Sequence, residues 1–108
     1  MNTENDLKGQ ALTLNKLIEY SDGAVVSKTL LNKKTGTLTL FAFDTGQSLS
    51  EHTSPYDATV LVLDGEATLT IAGEPLKVGP GQLAIMPANV PHDVQADQRF
   101  KMLLIMIR

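Results

Sequence analysis

Turn-forming residues recur at short intervals along this chain, at positions 32–36, 44–46, 64–65, 73–75, 79–81 and 87–91. The segments between them are rich in Val, Ile, Leu, Thr and Phe. Many short apolar runs with regular breaks predict an all-β sandwich or barrel. Strands are expected at 25–31, 37–43, 58–63, 67–71, 76–78, 83–86, 92–95 and 100–107, and the stretch 14–20 reads equally as a strand or a helical turn. The first two strands suggest a hairpin. Asp64-Gly65 is the dipeptide most favoured at a type I′ turn, so a second hairpin is expected between 58–63 and 67–71.

The 108 residues suit one domain, able to bury roughly two-thirds of its unfolded surface. Residues 1–12 are expected as a flexible tail and 13–108 as the domain. A net charge of -3 from scattered acids, with no basic stripe, argues against nucleic-acid binding. The absence of cysteine excludes a disulfide framework and a thiolate metal site. Residues 1–10 are polar, without the apolar run of a signal peptide, and no stretch is long and apolar enough to span a bilayer. A cytoplasmic location without membrane contact is therefore expected.

The last strand carries information of its own. Alternate side chains face opposite ways, so Met102, Leu104 and Met106 form one face and Leu103, Ile105 and Ile107 the other, both apolar. Either the domain covers both faces itself or a second subunit covers one. A two-layer fold has few places to bury both, which favours a homodimer about a two-fold axis.

Histidine occurs at two positions, His52 and His92, each framed by glycine or proline. Gly46 precedes His52 by five intervening residues, and Gly65 closes the first frame; Gly81, Pro87 and His92 keep the register of a second. These frames resemble the two halves of the cupin motif, G-(x)5-H-x-H-(x)3,4-E-(x)6-G and G-(x)5-P-x-G-(x)2-H-(x)3-N, over residues 37–108. Ser54 stands at the second histidine position, Ala58 at the glutamate, Asn89 at a glycine and Ala96 at the final asparagine. Asparagine tolerates the left-handed backbone that glycine supplies. The resemblance implies a cupin double-stranded β-helix, the jelly-roll barrel, with its site at the open end. Small cupins are often dimers, which the resemblance also implies.

A full cupin site has three histidines and a carboxylate, a set suited to Zn, Ni, Fe, Mn or Cu. Two imidazoles alone make a poor site, so the expectation is no metal or one divalent ion held weakly by His52 and His92. Gln47, Glu51 or Asp57 could complete a shell, although Glu51 and Asp57 have the opposite strand parity to His52. The inward side is expected to carry His52, Ser54, Ala58, Val60 and Val62, with Tyr56 sharing that parity and able to offer its hydroxyl to a ligand. Each histidine also has a plain structural reading, in which it hydrogen-bonds a backbone carbonyl or fixes a turn. Asp93 is expected to point away into solvent or stabilise a turn, and Met86, Met102 and Met106 to fill the core.

Three functions fit. In the first, a small molecule binds in a pocket lined by His52, His92, Ser54 and Tyr56 without turnover. In the second, a dioxygenase or isomerase uses His52 and His92 as metal ligands. In the third, a metal-free epimerase or lyase uses the imidazoles, or Tyr56, as acid and base, although no carboxylate is placed to tune such a base.

Overall fold

The computed structural model describes residues 7–108. Nine strands follow a short 3-10 turn at Leu14–Lys16: β1 Val25–Lys33, β2 Gly36–Phe43, β3 Ser48–His52, β4 Ala58–Gly65, β5 Ala67–Ile71, β6 Glu74–Val78, β7 Leu83–Met86, β8 His92–Gln95 and β9 Phe100–Ile107. One sheet has five strands in the order β1-β2-β9-β4-β7; the other has four, β3-β8-β5-β6. Every pairing is antiparallel. Among the described residues, no helix is long and apolar enough to cross a membrane.

The two sheets close on a core built from the inward side of each strand. Phe43, Val60, Val62, Leu69, Val94, Phe100 and Met102 are all buried there. Phe43 and Phe100 stack with ring centroids 4.5 Å apart, and each large side chain of this kind contributes about 1.5–3 kcal/mol by leaving water.

The hairpin expected at Asp64-Gly65 does not form. β4 lies in the five-stranded sheet and β5 in the four-stranded one, so the chain crosses between sheets at this point. Gly65 is required for a different reason. Its φ is +70°, and a Cβ placed there would collide with the backbone oxygen of Arg99. The true two-residue hairpin comes one strand later, at Ala72 (φ 51°) and Gly73 (φ 80°), where β5 turns into β6. Positive φ at both central residues is the type I′ signature. The β1–β2 hairpin forms as expected, with β1 extending to Lys33 and a tighter turn.

β9 sits in the middle of the five-stranded sheet, between β2 and β4. Its inner face carries Met102, Leu104 and Met106 towards the core. On the outer face, Leu103 is buried, Ile105 half-buried and Ile107 exposed. The segment before β1 covers part of that face: Ile18 is buried in a second cluster with Leu40, Ala42 and Leu103, against which Leu14, Leu17 and Tyr20 pack. The Tyr20 hydroxyl donates to Asp64 Oδ2 at 2.5 Å, and Arg99 and Lys101 stand 5.2 and 5.0 Å from its ring centroid. Burial, reinforced by the Asp64 carboxylate, pushes the phenol well above its usual range. Of the stretch expected as a tail, residues 1–6 lie outside the described residues, while Leu7, Lys8 and Leu12 run along a groove with Leu14, Leu30 and Leu103.

Candidate functional site

His52 ends β3 and His92 opens β8, and the two are directly opposite in the ladder. Pro91 precedes His92, so the new strand begins where the proline lets pairing resume. β3 reaches this register through an irregularity: Leu49 faces Val94 and His52 faces His92, so three steps on one strand match two on the other. Such a bulge re-aims the side chains beyond it. It puts Leu49 and His52, which a regular strand would turn to opposite sides, against one cavity.

The imidazoles meet edge to face, with centroids 4.5 Å apart and planes at 70°. Nδ1 of each ring faces a backbone carbonyl two residues back, Ser50 O at 2.7 Å for His52 and Val90 O at 3.0 Å for His92. A carbonyl only accepts, so each Nδ1 carries the proton and donates it. In the neutral ring Nε2 is then left as an acceptor, and among the described residues neither Nε2 has a hydrogen-bond partner. His92 is 2% exposed, whereas His52 stands at the open side.

The rings border a cavity of about 70 Å³ whose other walls are Leu49, Ser54, Ala58, Met86, Val94, Met102, Leu104 and Met106. The mouth is stitched together by its loops. Asn89 N–H donates to Ser54 O at 2.7 Å, and Asp57 Oδ1 accepts from Ala88 N–H at 2.9 Å. Asn89 adopts φ 63°, the left-handed conformation expected of it. Ser54 Oγ accepts from Tyr56 N–H at 3.1 Å, a local turn bond.

Of the expected site residues, His52, His92 and Ser54 come together at the cavity. Tyr56 does not: it is 39% exposed and absent from the cavity wall, because the loop after Ser54 breaks the alternation that parity assumes. Gln47, Glu51 and Asp57 also lie off the wall. Asp93 differs from its expected solvated state, since its Oδ1 is buried without a hydrogen-bond partner. Met86 and Met102 are buried in the core and Met106 packs against it, as the sequence reads them, and all three also border the cavity. Met86 and Met106 stand opposite Ala58 in the ladder, a pairing across strands that alternation along the chain does not reveal.

The divalent ion implied by the cupin resemblance does not fit this wall. Two imidazoles and no carboxylate border the cavity, and no group of three or more His, Cys, Asp or Glu among the described residues could hold a metal. At Ala58, where the motif has its glutamate, the strand presents a buried methyl flanked across the ladder by Met86 and Met106.

The family comparison agrees with the two-sheet barrel and the paired histidine frames: the cupin domain matches residues 39–107. The chain belongs to the cupin family. Three solved structures share its fold at higher sequence identity. A conserved protein of unknown function from Streptococcus pyogenes, SPY1581, is 35% identical with TM-score 0.90, covering 96% of this chain and 91% of that one. A cupin 2 conserved barrel domain protein from Leptotrichia buccalis is 42% identical with TM-score 0.87, covering 90% of this cupin and 47% of that chain. A cupin superfamily protein from Desulfitobacterium hafniense DCB-2 is 32% identical with TM-score 0.86, covering 93% and 92%. No curated protein matches the chain.

Proposed function

We propose that this cupin binds a small organic molecule, with the polar head of the ligand at Nε2 of His52 and His92 and its apolar part against the cavity wall. The observation that carries this reading is the pair of unpartnered Nε2 atoms beside a wall that is otherwise almost wholly apolar. Ligand sites of this kind combine apolar surface with a few converging polar groups. Because both Nδ1–H groups are committed to backbone carbonyls, the neutral rings recognise a head that donates, such as a hydroxyl or an amine. A cavity of about 70 Å³ is well below the roughly 300–1,000 Å³ of most small-molecule sites, so the head enters and the rest of the ligand lies at the mouth.

A dioxygenase or isomerase using His52 and His92 as ligands of a divalent ion would need further donors, and Ser54 and Ala58 do not supply them. A metal-free acid/base enzyme would need a carboxylate to tune its imidazole, and none borders the cavity. The working assembly is proposed to be a homodimer through the outer face of the five-stranded sheet. There Leu83 and Ile85 on β7 are exposed and in ladder register with Leu61 and Thr59 of β4, which are in turn opposite Leu103 and Ile105.

Thermal-shift screening of small alcohols, phenols and amines tests the ligand reading. A ligand at 100 times its Kd adds about 2.7 kcal/mol, about 10 °C for a chain of this length. His52→Ala should abolish the shift without lowering the basal Tm, because His52 is already exposed. A shift that persists undiminished in His52→Ala, or no shift with any of the three classes, overturns the proposal.

A further inference from the structure

Two apolar grooves, each larger than the barrel cavity, lie on the outer face of the five-stranded sheet. One, of about 270 Å³, runs between Leu12 and Leu14 of the segment before β1 and Leu30, Leu31 and Leu38 of the first hairpin. The other, of about 210 Å³, continues from Leu31 and Leu38 to Ile105 and Ile107 on β9. Because they meet at Leu31 and Leu38, the two form one trough. Each alone falls short of the roughly 300–1,000 Å³ usual for a ligand site, and joined they reach it.

The ladder shows how the trough is built. Leu31, Leu38 and Ile105 stand side by side in one cross-strand row, and Lys33, Gly36 and Ile107 in the next outward row. Gly36 brings no side chain, so the second row stays open between the lysine and the isoleucine. β1 reaches this register through an extra residue: Thr29 faces Thr39 and Leu31 faces Leu38, so two steps on β1 match one on β2. The bulge sets the consecutive Leu30 and Leu31 against one groove, where a regular strand would part them. At the hairpin end the trough is cationic. Lys33 lines it, Lys34 follows in the turn, and neither is in an ion pair among the described residues. No carboxylate lines either groove, although the chain carries a net charge of -3.

We propose that this trough binds an alkyl carboxylate such as decanoate, with its methylenes along Leu30, Leu31, Leu38 and Ile105 and its carboxylate at Lys33 and Lys34. An apolar floor that ends in two adjacent cations matches a ligand with one long apolar part and one anionic head. A second copy of the chain is the poorer occupant, because a sheet face does not fill a recess walled by the segment before β1 on one side and the hairpin on the other. The subunit contact proposed above centres on Leu83 and Ile85 of β7, at the far edge of the sheet from β1. The trough goes beyond the barrel-ligand reading and does not rest on it, since neither histidine borders it.

Isothermal titration calorimetry of the intact chain with hexanoate, octanoate and decanoate, each below its micelle concentration, tests the site. Affinity should rise about fourfold per added methylene as the chain is buried, and decanoate should bind more tightly than decanol or decylamine. Lys33→Glu/Lys34→Glu changes two exposed residues, so the fold should persist while decanoate weakens about tenfold and decanol is unaffected. Ile107→Asn, also at an exposed position, should weaken decanoate and decanol alike. His52→Ala and Ile85→Lys should leave decanoate affinity unchanged. Absence of saturable binding, affinity independent of chain length, or equal affinity in the charge-reversed variant overturns the proposal. Loss of decanoate binding in His52→Ala would place the ligand in the barrel, sinking the trough and leaving the barrel reading standing. Loss in Ile85→Lys would make the trough part of a subunit contact, and sedimentation with phosphatidylglycerol vesicles without decanoate binding would make it a membrane-facing surface; either result overturns the site.

Discussion

Replacing Gly65 with alanine tests the steric basis of the crossing between the two sheets. The glycine ends β4 where the chain leaves one sheet for the other, and its ladder partner is Phe100. Two penalties apply to Gly65→Ala. The left-handed φ of +70° costs an L-residue about 1–2 kcal/mol. The new Cβ would also collide with Arg99 O and lie 2.9 Å from the Phe100 Cα. Both are backbone atoms at the start of the central strand, so β9 must move, and such overpacking costs about 1–3 kcal/mol. Any movement is transmitted to the Phe43–Phe100 stack. The expected loss is about 2–5 kcal/mol, or about 8–20 °C in Tm at this chain length.

Gly73→Ala provides the control, because Gly73 has φ +80° and a methyl added there would meet nothing within 4 Å. It should lose only the conformational part, about 1–2 kcal/mol. Urea unfolding of both variants, followed by circular dichroism, isolates the contact term as the difference in midpoint at unchanged slope. If Gly65→Ala is no more destabilised than Gly73→Ala, the close approach of β4 to β9 does not constrain the fold and the reasoning fails.

Two further outcomes follow from the surface of the barrel. Asp44 accepts from Arg99 Nε and from Gly23 N–H, each at 2.7 Å, and the Arg99 hydrogen bond foremost holds its carboxyl at about 2, below the ordinary 3.8. A folded-state pKa that is depressed contributes stability that is full above about pH 4 and is lost as pH falls through 2; Asp44→Asn should therefore be less stable than wild type at pH 7 by a margin that has shrunk markedly by pH 2, and an equal gap at both would refute the linkage. Ile85→Lys puts a charge on the exposed outer face of β7 and should give a monomer where wild type gives a dimer by light scattering. A wild type that is monomeric at high concentration would dispose of the interface.

Much of the fold could be read along the chain because strand breaks are local chemistry. Glycine, proline and asparagine restrict or free the backbone whatever surrounds them, so β5, β7, β8 and β9 begin and end where the sequence indicates. The left-handed Asn89 was legible on the same ground. The two imidazoles were placed by their fixed intervals from glycine and proline, and Ser54 followed by strand parity. Asp64-Gly65 misled because a favourable turn dipeptide says nothing about which sheet the next strand joins. Tyr56 misled because parity counts through a loop only if the loop is extended.

By itself, then, the sequence determined the alternation of strand and turn, the two-faced apolar character of β9 and the absence of the carboxylate at Ala58. The tertiary structure alone decided the rest. One extra residue in β3 turns Leu49 and His52 to the same side, and the crossing between β3 and β4 at 53–57 sets Ala58 with its flanking methionines in the sheet opposite the imidazoles. Bulges and sheet crossings depend on which strands pair, a choice made by burial summed over both sheets and not by any short stretch of residues. The cavity wall is therefore a product of pairing, and its methionines acquire a chemical neighbourhood only once the barrel has closed.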